Sequence, residues 1–144
     1  MANIPYYQQK DIENIKKLRE MMKELPPFCT EFFRGIEPRT STRTRIAYAY
    51  DLSVFFDFLK KENPVFAKME RMDFKLEQLD QITVTDLEEY MEYLKYRFNE
   101  QNHEIMNQER GIMRKISSLK SFYNYFFRTE KLTTNPAALV RLPK

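Results

Sequence analysis

ERGIMRKISSLKSFYNYFFR, Glu109 to Arg128, has the period of a helix and two unlike sides. Ile112, Ile116, Leu119, Tyr123 and Phe126 recur every three or four residues, an apolar stripe made for a core. Arg110, Arg114, Ser117, Ser121, Asn124 and Arg128, alternately four and three residues apart, form a second stripe almost opposite the first. It carries no acid. Arginines among small hydroxyl and amide side chains let a helix approach a polyanion, where acids would repel phosphates and bulky apolar groups would hold the helix off. A merely solvated face ordinarily mixes Lys with Glu, so the missing acids are what turn the expectation toward nucleic acid.

The rest of the chain narrows the class. Its 144 residues suit one domain with a real core, and 42% hydrophobic with 31% charged residues is ordinary for a globular protein. Only Gly35 and Gly111 are glycines, which excludes glycine-rich phosphate cradles, disfavours hairpins and favours an all-α fold. Cys29 is the single cysteine, so no internal disulfide or CxxC motif is available, and a cytoplasmic location is expected. No apolar run has the length of a membrane span, and the N-terminus lacks the apolar segment of a signal peptide. The net charge of +3 is unevenly spread. From Asp51 to Glu104 there are 7 Lys/Arg against 13 Asp/Glu; from Ile105 to Lys144 there are 8 against 2. The C-terminal end carries the basic charge.

Taken in order, Ile12, Ile15, Leu18, Met22 and Leu25 predict a first amphipathic helix over Asp11 to Leu25, stopped by Pro26-Pro27. A short helix with Phe28, Phe32, Phe33 and Ile36 follows. A long one is predicted from Thr42 to Lys61, capped by Ser41 or a neighbouring threonine, with Tyr48, Leu52, Phe55, Phe56 and Leu59 as its core face. Residues 65–79 read as a connection with a helical turn or two. Thr85 with Glu88 reads as a capping box opening an acidic helix whose buried stripe is Leu87, Tyr90, Met91 and Leu94. The polar run to His103 reads as a loop, with the last long helix starting as early as Glu104, and Thr134 or Asn135 caps a turn begun by Pro136.

Arg39, Arg43 and Arg45 alternate with Thr40, Ser41, Thr42 and Thr44 at the start of the Thr42 helix, where free N–H groups also favour anions. N-capping with solvated arginines accounts for the same residues, and on their own they favour that reading. His103, the only histidine, has no second ligand or triad partner near it, so neither a metal, a cofactor nor a catalytic centre is expected.

Three blocks in this order resemble a known family: TRTRIAYAYDLSVFFDFL, ITVTDLEEYMEYL, and RKISSLKSFYNYFFRTEKLTTNPAALVRLPK with its NPA turn and terminal Pro-Lys. They are similar to the core-binding, SAM-like N-terminal domain of tyrosine recombinases and phage integrases, the Xer-like and transposon enzymes included. The resemblance runs from about Phe28 to Lys144 and implies an orthogonal bundle of four to five helices, with an extra N-terminal helix here. It divides the chain into an N-terminal extension over 1–25, a DNA-binding domain over 26–140 and the start of a linker over 141–144. In the family this bundle covers one side of duplex DNA, and a separate domain after the linker carries the arginines, lysine, histidines and nucleophilic tyrosine.

The resemblance therefore implies double-stranded DNA and other recombinase protomers as partners, and no catalysis by this chain alone. The residues placed toward DNA are Thr42, Arg43, Thr44, Arg45, Arg110, Arg114, Lys115, Ser117, Ser118, Lys120, Ser121, Asn124 and Arg128. A helical protein-interaction module is the alternative, marked by an exposed apolar patch; a helix-turn-helix regulator is a third, with no short turn near Arg114 to support it.

Overall fold

The structure, a computed structural model, describes residues 5–141. The described residues form seven α-helices: α1 (Tyr6–Met22), α2 (Cys29–Ile36), α3 (Thr42–Glu62), α4 (Pro64–Ala67), α5 (Leu76–Leu79), α6 (Val84–Lys95) and α7 (Glu109–Arg128). Short 3-10 turns lie at Glu37–Arg39, Arg71–Asp73 and Pro136–Leu139. α3 is the axis of the bundle, with α1, α4, α6 and α7 all packed against it. Its burial is not confined to one face: Ala49, Leu52, Val54, Phe55, Phe56, Phe58 and Leu59 are all inside. That wrapped position suits a helix whose sequence is aromatic around most of its circumference.

Ser41 caps α3 by accepting a hydrogen bond from the Thr44 N–H at 3.1 Å. The five predicted core residues of α7 are buried, and Phe122 joins them. Phe122 sits edge-on to Phe32 and Phe126, with ring centroids 5.3 and 5.1 Å away, and so ties α2 to α7. Gly35 has a packing reason: a Cβ there would run into the Tyr125 ring.

Four details differ from the sequence reading. α1 begins at Tyr6 and ends at Met22, and it folds back onto α3 with Leu18 buried while Ile12 stays exposed. The capping box of α6 is Thr83 with Asp86 rather than Thr85 with Glu88: the Thr83 N–H donates to Asp86 Oδ2 at 2.9 Å and the Asp86 N–H to Thr83 Oγ1 at 3.2 Å. A small antiparallel hairpin, β1 (Arg97–Phe98) with β2 (Glu104–Ile105), occupies the predicted loop and the predicted start of the last helix. Its turn needs a left-handed residue, and Asn102 at φ 63° supplies it where glycine was absent. α7 therefore starts only at Glu109. Of the predicted terminal linker, residues 142–144 lie outside the described residues.

The end of the described chain is pinned. The Asp80 carboxylate accepts from both backbone N–H groups and both hydroxyls of Thr133 and Thr134, at 2.8–3.0 Å. Asn135 caps the turn that follows. Lys120 of α7 donates to the Val140 carbonyl at 3.1 Å.

Candidate nucleic-acid interface

The exposed side of α7 is the acid-free stripe. Arg110, Arg114, Ser117, Asn124 and Arg128 are exposed and Ser121 is half-buried. Helical periodicity puts them there because the opposite side is taken up by Ile112, Ile116, Leu119, Phe122 and Phe126 in the core. Arg43 and Thr44 are exposed at the start of α3, where Ser41 donates its hydroxyl to Thr44 Oγ1.

Five residues placed toward DNA on sequence grounds have their polar groups occupied inside the protein. Thr42 is buried and donates its hydroxyl to Asp11 Oδ1 at 2.8 Å, which fastens α1 to α3. Arg45 is buried because its Nη1 closes the turn before α3, donating to the carbonyls of Glu37 and Thr40 at 3.1 and 2.7 Å. Lys115 and Ser118 are each only 2% exposed, lying on the core side of α7. Half-buried Lys120 holds Val140. The exposed set is thus narrower than the thirteen residues named from sequence.

What holds Lys115 and Ser118 inward is Asp51 of α3, a group the sequence reading passed over. The Asp51 side chain is 1% exposed and takes donors from three residues within two turns of α7. Ser118 Oγ donates to Oδ2 at 2.6 Å, Arg114 Nη2 to Oδ1 at 3.2 Å, and Lys115 Nζ stands 3.4 Å from Oδ1. The Lys115 ammonium also lies 5.0 Å from the centroid of the Tyr50 ring. Burial pushes the Lys115 ammonium below its ordinary pKa; Asp51 pulls it back up, while Arg114 and Arg97 add to the depression. Arg114 differs from its neighbours in the cluster: 58% of its side chain is exposed. The cluster therefore joins the α3–α7 contact to the exposed stripe.

Residues 24–141 match the phage integrase SAM-like domain. The chain belongs to that family. Similar curated proteins are tyrosine recombinases XerC. The one from Caldanaerobacter subterraneus subsp. tengcongensis is 36% identical over 126 residues, covering 83% of this chain and 34% of the relative. That of Leptospira interrogans is 35% identical over 111 residues, 76% of this chain and 29% of the relative. That of Chlorobaculum tepidum is 30% identical over 138 residues, 96% of this chain and 34% of the relative, an alignment long enough to take in most of α1. The chain thus spans about a third of the length of these recombinases. No solved structure gives a significant match.

The helical bundle is that of a phage integrase SAM-like domain, as the three sequence blocks led one to expect. Among the described residues no group of three or more His, Cys, Asp or Glu side chains is placed to hold a metal. No helix among them is long and apolar enough to cross a membrane.

Proposed function

We propose that this domain grips duplex DNA at a recombination site as the core-binding half of a tyrosine recombinase, acting inside the cell while strand cleavage and joining are performed by a separate catalytic domain. On this reading residues 26–140 form the DNA-binding domain, 1–25 an extension built on α1, and 141–144 the beginning of a linker. The observation that carries the proposal is the acid-free stripe along α7, with Arg110, Arg114, Ser117, Asn124 and Arg128 exposed and Ser121 half-buried among them. Its arginines suit phosphates and its short polar groups suit phosphates or base edges. Arg43 and Thr44 extend the grip from α3. Thr42, Arg45, Lys115, Ser118 and Lys120 serve it from within by fixing the helices that present the others.

Duplex binding measured at several salt concentrations tests the proposal. The affinity of the wild-type chain should fall steeply with salt, and Arg110→Ala/Arg128→Ala should make log Kd against log salt shallower by about 1.8, or 0.9 for each phosphate contact removed. A slope unchanged by that double substitution, with helical content intact, refutes the assignment of the stripe.

One observation favours the alternative of a protein-interaction module. A groove of about 540 Å³ between α6, α7 and the last 3-10 turn is lined by Val84, Met91, Ile112, Leu139 and Val140, with Glu88, Glu92, Glu109, Lys95 and Arg141 around them. Its apolar floor and mixed-charge rim set it apart from the acid-free stripe. If the folded chain binds no duplex, this groove becomes the leading surface.

A further inference from the structure

Resting on the DNA reading, the geometry points to a neutral buried mount, the Asp51–Lys115 pair, that positions Arg114 for contact with a DNA phosphate or base edge. Arg110 and Arg128 stand exposed with no hydrogen bond or ion pair among the described residues, whereas Arg114 is tethered through Nη2 to Asp51 at 3.2 Å. The anchor is itself immobile. Asp51 is 1% exposed and is fixed at its other oxygen by Ser118, one turn along from Arg114, at 2.6 Å. The remaining donors of Arg114, Nε and Nη1, have no protein partner among the described residues, and 58% of the side chain faces solvent.

An aspartate beside a DNA-facing arginine carries an electrostatic disadvantage, since its charge weakens attraction for phosphate. Lys115 removes that disadvantage. Its ammonium stands 3.4 Å from the same Oδ1, is 2% exposed, and so cancels the carboxylate without reaching the surface. The pair contributes orientation and no net charge, and Arg114 keeps a full positive charge toward the ligand. Holding a long side chain in place before binding lowers the entropy lost when the complex forms. Asp51 and Lys115 are accordingly positioning residues, acting on DNA only through Arg114.

The test replaces the mount by apolar groups of similar size. Asp51→Leu/Lys115→Met leaves the net charge unchanged, and Ser118 keeps its hydrogen bond to the Arg114 carbonyl. Binding of a labelled random-sequence duplex is measured for the wild-type chain, this double variant, Arg114→Gln and the triple variant. The inference expects the double variant to bind about two- to tenfold more weakly than wild type, with the same salt slope, and expects the two mount substitutions to cost nothing when made in the Arg114→Gln background. Unchanged affinity in the double variant, an equal loss in the Arg114→Gln background, or no effect of Arg114→Gln itself would each overturn it.

Should the double variant fail to fold, side-chain ¹⁵Nε relaxation of Arg114 in the free wild-type protein decides. An ordered guanidinium before DNA is added supports the mount, and one moving as freely as those of Arg110 and Arg128 refutes it. A folded wild-type chain that binds no duplex at low salt removes the DNA reading and the inference with it. Wild-type binding with a silent mount removes the inference alone.

Discussion

Removing the two members of the buried pair should not cost the same, and the asymmetry can be worked out from their partners. Asp51→Ala leaves the Lys115 ammonium, 2% exposed, with the Tyr50 ring as its remaining contact and with Arg114 as a like charge nearby. Breaking a buried pair from this side costs about 3–5 kcal/mol. Lys115→Met leaves Asp51 still bonded to Ser118 and Arg114, so no charge is orphaned. The lost ion pair and ring contact are set against relief of the lysine's desolvation, and the net cost should be about 1 kcal/mol. A chain of 144 residues has a total stability of about 7–20 kcal/mol. At about 2–4 °C per kcal/mol, Asp51→Ala should lower Tm by about 6–20 °C and Lys115→Met by a few degrees.

The alkaline limb provides a second readout. In the folded protein Lys115 lies below its ordinary 10.5, so between the two values the unfolded chain holds the proton more tightly and stability rises with pH. Asp51→Ala deletes the carboxylate that raises this pKa, which widens the window downward. The variant should regain stability relative to wild type as pH is raised toward 10.5, and Lys115→Met should show no such recovery. Urea melts across that range measure both effects. Equal costs for the two substitutions, or an Asp51→Ala deficit independent of pH, would refute the reasoning.

Two further predictions concern the scaffold. Ile116→Asp places an unpaired carboxylate at a core position 1% exposed and should abolish cooperative unfolding in a thermal melt; a near-wild-type melt would show that α7 is misfaced. At Asp80, burial opposes ionisation, but the bonds from Thr133 and Thr134 outweigh it and hold the carboxyl below its ordinary 3.8. Its contribution is therefore present above that pH and lost as acid takes it through the folded value, so the stability gap between wild type and Asp80→Asn should narrow when urea melts at pH 7 are repeated at pH 3. A gap of the same size at both would show that the negative charge is not what the two threonines hold.

The fold was legible where periodicity and capping act locally. The core stripe of α7, the Ser41 cap and the turn begun by Pro136 all depend on residues within a few positions of one another. Lys115 and Ser118 were placed outside because their polarity was weighed above their position. Lys115 nevertheless lies three residues from Ile112 and four from Leu119, squarely on the apolar spacing, which is the signal that it is buried. Its compensating partner is on another helix, and the bonds to Asp51 from Arg114 and Ser118 span 63 and 67 residues, a pairing that no local pattern reveals. Arg45 is similar, since it occupies the row that continues through Ala49, Leu52 and Phe56. The hairpin was missed because glycine was used as the only marker of a left-handed turn, a conformation that asparagine also tolerates.

The bond from Lys120 to the Val140 carbonyl has a mechanical consequence. Lys120 lies between Ser117 and Ser121 on the stripe-bearing helix, and Asp80 clamps Thr133 and Thr134 a few residues before Val140. The last described turn is therefore held against α7 at its far end as well as at its start. A shift or tilt of α7 is passed through this bond to Val140, so the last described turn moves with the stripe-bearing helix.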